Sequence, residues 1–252
     1  MVGGNLQDHM YLHWVHEVQE GYSINADIYG ARILPHALRY FTTGKGLLTI
    51  GVSTAYIFCK SLPHSDTPDT QVGFRPMSDE MLVSGTPGPH KFPGWSASVS
   101  YLRPKSRGRI KLKSANANDH PAIYANYLDH PDDMQSLMTA LRLVDKIYST
   151  PKLAAILKRR LNPDADVNIH NDAELEQYVH AFGNTMYHPV GSCMMSGQED
   201  SVVDPRLRAR GVEGLRVADA SVMPNIVSGN TNTATVMIGE KAAQMILEDA
   251  KS

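Results

Sequence analysis

The hydrophobic pattern changes period along this chain. Trp95-Ser96-Ala97-Ser98-Val99-Ser100-Tyr101-Leu102 alternates bulky with small residues, as a half-buried strand does. Arg109–Ser114 alternates too, with Ile110 and Leu112 facing one way and Lys111 and Lys113 the other. The Ser106-Arg107-Gly108 turn between them predicts that the two segments pair antiparallel. The period then lengthens. Met134, Leu137, Met138, Leu141, Val144, Asp145 and Ile147 recur near 3.6 spacing behind a cap at Asp132 or Asp133, and Ser149-Thr150-Pro151 closes that helix. A shorter helix is predicted at Lys152–Arg160. Asn171 and Asp172 open another over Ala173–Phe182, ended by Gly183-Asn184. The last runs from about Thr233 to Ala250, with Val236, Met237, Ile238, Ala242, Ala243, Met245 and Ile246 as its buried face.

The N-terminal third is less regular. A helix fits Pro35–Tyr40, followed by a turn at Gly44-Lys45-Gly46. Residues 61–94 are rich in Pro, Gly, Ser and Asp, with a turn signal at Thr86-Pro87-Gly88-Pro89, and read as one long connection. There is no internal repeat. Strands and helices do not alternate strictly, so the fold class is α+β: an antiparallel sheet with helices against it.

Composition changes this picture little. The 252 residues carry 42% apolar and 20% charged side chains and a net charge of −2, ordinary for a globular protein. The densest basic run, Arg103–Lys113, reads as a turn and a solvated strand edge, so no nucleic-acid partner is expected. Cys59 and Cys193 are too few for a disulfide framework or a zinc site. No apolar run reaches membrane-spanning length, and the N-terminus has neither a basic nor an apolar leader region, so a cytoplasmic location is expected.

The last seventy or so residues carry the candidate chemistry. In Tyr187-His188-Pro189-Val190-Gly191-Ser192-Cys193 the proline keeps His188 out of the helical region, on a stiff loop. If His188 does chemistry, its partner comes from elsewhere in the chain. Leu215–Ser221 reads as a short strand running into small residues. Val227-Ser228-Gly229-Asn230-Thr231-Asn232-Thr233 leads into the final helix, whose N-terminus favours negative charge; a plain cap and turn explains this piece equally well. His9, His13 and His16 would share one face of a helix as metal ligands, but their aromatic flanks favour a strand, which scatters them. Cys193 lacks an adjacent base, and packing beside the His188 loop suits it better than a nucleophile's role.

Several motifs in order give a family resemblance. His188-Pro189-Val190-Gly191-Ser192-Cys193-Met194, Val202–Arg208, Gly214–Pro224, Gly229-Asn230-Thr231-Asn232 and Ile238–Ala243 resemble the C-terminal block of the glucose–methanol–choline oxidoreductases, flavoenzymes that oxidise alcohols. Val2–His9, Leu102–Gly108 and Asn126-Tyr127-Leu128 are similar to further segments of that family. The resemblance implies FAD as cofactor and hydride transfer from an alcohol to flavin N5. It implies His188 as general base and Asn230 as hydrogen-bond donor to the substrate oxygen. Asn232 and Thr233 would face the flavin N1–C2=O edge, and Asp219 and Ala220 the ribityl and pyrophosphate side. Residues 1–20 would be a segment of the FAD domain, 21–185 the substrate-binding domain and 186–252 the catalytic, FAD-contacting segment. In the last of these a strand–helix return would complete an α/β FAD domain.

The family's Gly-x-Gly-x-x-Gly turn for the ADP end of FAD is not in the sequence; Gly44-Lys45-Gly46 lacks the third glycine and Gly85-Thr86-Pro87-Gly88 reads as a turn. The chain therefore resembles the C-terminal half of the family. Catalysis would need a polypeptide supplying the other half. A truncated product, or a non-catalytic module that only binds a partner, is the alternative.

Overall fold

The computed structural model describes residues 2–28, 30–51, 53–82 and 88–251. The strands are β1 (Met10–Val18), β2 (Ala55–Cys59), β3 (Thr70–Arg75), β4 (Gly94–Tyr101), β5 (Arg109–Lys111), β6 (Ala122–Tyr124), β7 (Leu157–Asn162) and the two-residue β8 (Asn184–Thr185). The helices are α1 (Ile33–Thr43), α2 (Pro131–Tyr148), the single turn α3 (Pro151–Ala154), α4 (Asp172–Phe182) and α5 (Asn232–Asp249). Helices and antiparallel strands mix without a βαβ rhythm, as the α+β reading expects. The chain divides into two compact units, Tyr11–Ser100 with Gln135–Asn184, and Met1–Met10 with Tyr101–Met134 and Thr185–Ser252.

The first unit is built on the sheet β2–β3–β4–β1–β7. β1 and β4 run antiparallel from Tyr11↔Ser100 to Glu17↔Gly94, and β2 and β3 from Ala55↔Phe74 to Cys59↔Thr70. The alternation along β1 decides its faces. Leu12, Trp14, His16 and Val18 are buried on one face, while on the other Tyr11, His13 and Glu17 are only partly covered and Val15 alone among them is fully buried. Tyr148 of α2 stands edge-on to both Trp14 and His16, and Leu137, Leu141 and Val144 add the apolar stripe of α2 to a core that includes Leu175 and Val179 of α4. Each such burial contributes about 1.5–3 kcal/mol.

α4 starts where the sequence marks it. The Asn171 side chain accepts from the backbone N–H of Ala173 (3.0 Å) and Glu174 (3.3 Å). Asn171→Ala is expected to lower stability by about 1 kcal/mol. An unchanged urea midpoint would show that water replaces the cap at no cost.

Several expectations are corrected. β5 pairs with β6, not with β4, because Gly108 is taken by Leu6 through reciprocal backbone bonds of 2.8 and 3.0 Å. The carboxylate of Asp133 accepts from the backbone N–H of Lys105 and Ser106, so it anchors that turn rather than capping α2; His130 Nδ1 accepts from Asp132 N instead. The helix expected over Lys152–Arg160 is one turn followed by β7, since pairing with β1 at Val15↔Asn162 and Val18↔Leu157 overrides local helix preference. The long connection 61–94 holds β3; Gly73 breaks its pattern, and a Cβ there would sit 2.9 Å from Ser98 Oγ. Thr86 and Pro87 of the turn at Thr86-Pro87-Gly88-Pro89 lie outside the described residues.

The second unit is mostly loops. Its core joins Val190, Val203, Leu207, Val222, Met223 and Ile226 to Ile238 and Ala242 of α5. Of the face expected to bury on α5, only Ile238 and Ala242 do so fully; Val236, Met237, Ala243 and Ile246 are exposed because the stripe against this core is one residue wide. Leu215–Ser221 is not a strand: one bridge, Arg208↔Arg216, is its whole ladder, and a 3₁₀ turn follows at Ala220–Val222. Arg206, Arg208 and Arg216 converge on Asp249 and fasten the end of α5.

Candidate active site

Asp8 and His9, just before β1, organise the His188 loop. Asp8 Oδ1 accepts from the backbone N–H of His188 at 2.8 Å, and Oδ2 accepts from the hydroxyls of Tyr127 and Thr185. Thr185 Oγ1 in turn accepts from the backbone N–H of Tyr187 at 2.9 Å. These bonds hold Tyr187 at φ +60°, a left-handed conformation that costs an L-residue about 1 kcal/mol. On the far side, Val190 and Gln7 exchange backbone bonds of 2.8 and 3.0 Å. Gly191 has φ +90° and a Cβ there would lie 2.2 Å from Asn5 O, so the loop needs glycine at this point.

The imidazole of His188 is half-buried, its Nδ1 2.9 Å from Nδ1 of His9 with the rings at 81°. His9 is fully buried, and its Nε2 lies 3.1 Å from Leu102 O. Burial pushes His9 down to about 4 and outweighs the Leu102 carbonyl, which favours the charged form. Burial also lowers His188, against a smaller opposing pull from Asp8. Both rings are therefore neutral at neutral pH, the state in which an imidazole can accept a proton.

The segment Val2–His9 also grips the loop leading to Asn230. Pro224 O accepts from Asn5 Nδ2 and Gln7 Nε2, both at 3.0 Å, and Ile226 N donates to Gln7 Oε1 at 3.1 Å. Farther on, Ser228 Oγ accepts from Arg103 Nε at 2.9 Å. One clamp thus fixes the His188 loop and the chain entering α5. Asn230 is exposed two residues before that helix. Asn232 begins α5 and Thr233 follows it, both exposed. Thr231, at the N-cap, sits in the helical region (φ −79°, ψ −16°) rather than the extended conformation usual for a cap, and its side chain makes no capping hydrogen bond. The Cys193 and Met195 N–H groups bond Ser221 O and Val222 O at 2.9 Å, placing the Asp219-Ala220 turn against the chain that follows His188. Asp219 is exposed and caps this turn by accepting from Ser221 N, and Ala220 packs on the local core.

The other candidates separate. β1 sends His13 and His16 to opposite faces, where His13 Nδ1 accepts from Arg75 and His16 Nδ1 from Trp14 Nε1. No group of three or more metal-ligating side chains occurs among the described residues. Asp8, Tyr127 and Thr185 have no individual role in the sequence reading, and His9 appears there only as a candidate metal ligand. Asp8, His9 and Tyr127 do lie in the Val2–His9 and Asn126–Leu128 motifs, which were the available signal.

Comparison with known proteins agrees with this architecture. Residues 104–239 match the family described as GMC oxidoreductase, and the chain belongs to that family. It is 38% identical to an alcohol dehydrogenase [acceptor] of Pseudomonas putida over 251 residues, covering 98% of this chain and 44% of that protein. It is 35% identical to an oxygen-dependent choline dehydrogenase of Klebsiella pneumoniae, covering 97% and 43%. Formate oxidase of Aspergillus oryzae RIB40, a protein whose FAD modification has been described, shares the fold with a TM-score of 0.88 at 23% identity, covering 99% of this chain and 48% of that one. The chain thus spans less than half the length of the curated relatives it matches. No helix among the described residues is long and apolar enough to cross a membrane.

Proposed function

We propose that this chain carries the catalytic half of an FAD-dependent oxidoreductase acting on the CH–OH group of a primary alcohol, with choline-like, aliphatic and aromatic alcohols as the candidate class. The observation that carries the reading is the placement of His188, held by Asp8 and His9, on the same clamp as the loop to Asn230 and α5. The residues present fit the ring end of a flavin. The first turn of α5 has uncapped N–H groups with Asn232 and Thr233 exposed beside them, and Asp219-Ala220 lies on the turn packed against the His188 segment. Such a helix end favours negative charge at a ring carbonyl. Residues 21–185 are the substrate-binding domain in this reading, and 186–252 the catalytic and FAD-contacting segment.

The flavin, when bound, supplies the acceptor for the electron pair. His188 takes the hydroxyl proton, and the charge left on oxygen is met by a hydrogen bond from Asn230. That bond also holds the reacting carbon in place. Nothing in the sequence offers a Gly-x-Gly-x-x-Gly turn for the ADP end, so a polypeptide supplying that half is part of the proposal. The exposed Val236, Met237, Ile246 and Leu247 on α5 are the apolar surface it would cover. The same missing motif favours the second reading, a fragment that binds a partner polypeptide without catalysis.

The test is the visible spectrum of the purified chain with added FAD, alone and assembled with a polypeptide carrying the dinucleotide-binding half. A flavin band bleached anaerobically by a primary alcohol is expected in the assembly. If the assembly retains flavin that no alcohol bleaches, or retains none, the non-catalytic reading stands. Asn230→Ala is expected to slow bleaching by about tenfold or more with FAD content near normal; loss of FAD would make Asn230 a cofactor anchor.

A further inference from the structure

A proton count along one row of hydrogen bonds fixes more than the place of His188. The row begins at a backbone carbonyl. Leu102 O can only accept, so His9 Nε2, 3.1 Å away, carries a hydrogen. His9 is fully buried and neutral, so that hydrogen is its only ring proton and Nδ1 presents a lone pair. His188 Nδ1 faces this lone pair at 2.9 Å. Two lone pairs at that distance repel, and the contact is a hydrogen bond only if His188 Nδ1 carries the proton. A neutral imidazole has one ring proton. Nε2 of His188 is therefore bare, and no described residue bonds it.

We propose that His9 is a positioning residue that holds His188 as the Nδ1–H tautomer, leaving Nε2 as the atom that takes the substrate proton. The opposite tautomer would set two lone pairs face to face and lose a buried hydrogen bond, which disfavours it by about tenfold or more. Without such a partner, a histidine side chain divides between tautomers and prefers Nε2–H, the form that cannot accept a proton at that atom. A proton arriving at Nε2 leaves the Nδ1–H bond to His9 in place, so one proton moves and no other bond is remade. His9 is neutral, so it orients the ring without the strong electrostatic pull of a carboxylate partner. Asp8 is spent on the backbone N–H of His188 and on the Tyr127 and Thr185 hydroxyls, and makes no bond to the ring.

The role of His9 in catalysis rests on the proposed role of His188 as base, but the tautomer belongs to this chain and is measurable without flavin. Long-range ¹H–¹⁵N correlation of the full chain, labelled at its histidines and held above the ordinary histidine titration range, distinguishes a pyrrole-type from a pyridine-type ring nitrogen. His188→Gln identifies the His188 signals by their loss. The expected pattern is pyrrole-type Nδ1 and pyridine-type Nε2. In His9→Ala this pattern should give way to a mixture dominated by Nε2–H, a change in tautomer ratio of about tenfold or more. His9→Asn should restore it, because Asn Oδ1 lies where His9 Nδ1 does and accepts the same hydrogen. A wild-type His188 found as Nε2–H, or a pattern unchanged in His9→Ala, overturns the proposal. If His9→Ala does not fold, the wild-type spectrum decides alone. In the flavin-loaded assembly, a tautomer as proposed together with alcohol oxidation indifferent to His9→Ala would count against His188 as the base and leave the tautomer standing.

Discussion

Replacing His188 by alanine is expected to slow alcohol-dependent flavin bleaching in the assembled enzyme about 100-fold or more, the usual worth of a positioned general base. The structure makes this substitution informative. The bond from His188 to Asp8 uses the backbone N–H and survives the loss of the ring. Tyr187 stays tied to Thr185, Val190 stays paired with Gln7, and Gly191 keeps its turn against Asn5. The loop therefore keeps its path while the proton acceptor disappears. His9 Nδ1 loses its partner, but the half-buried site admits water to replace it. Stopped-flow bleaching under anaerobic conditions reads the step directly, and the urea midpoint checks the fold. A bleaching rate within a few-fold of wild type would remove His188 from the proton transfer and leave the loop with a structural role.

The sequence disclosed this loop and concealed its partners, for one physical reason. Pro189 restricts the residue before it whatever the rest of the chain does, so the stiffness of His188 is a local fact. The bond that gives the ring its direction joins positions 179 apart. No local period or spacing marks such a pair. The motifs holding Asp8 and His9 could be matched as text, but the reason for those residues emerges only where Asp8 meets His188 N and His9 meets His188 Nδ1. The fold divides the same way. β4 and α4 were legible because an alternating run and an Asn cap are written within single segments. β7, with Lys158, Arg159 and Arg160 in its middle, reads as a strand only once β1 lies beside it. α5 had a legible length, but which of its faces is buried depends on what packs there.

Acidification is expected to destabilise the chain before its carboxylates begin to titrate. Burial holds His9 and His16 down to about 4 and His13 down to about 3, with the charge of Arg160 adding to the effect at His16 and that of Arg75 at His13. In the unfolded chain each returns to about 6.5. Above that value all three are neutral in both states and pH has no effect through them. Below it the unfolded chain binds protons that the native state refuses, so the native state is progressively disfavoured until the folded values are passed. At about pH 5 the unfolded rings are nearly all charged and the native ones nearly all neutral. The loss is then about 2 kcal/mol per histidine and about 6 kcal/mol for three, a large part of an ordinary domain's stability. Most carboxylates ionise below about pH 4.5 and contribute little in this window. Urea midpoints measured from neutral pH down to about pH 5 should fall steeply. His16→Asn can keep an acceptor near Trp14 Nε1, now 3.1 Å from the imidazole, while removing the titrating group; it should take away about a third of the fall. A midpoint that stays level over this range would mean that these rings are charged, or reach water, in the native state.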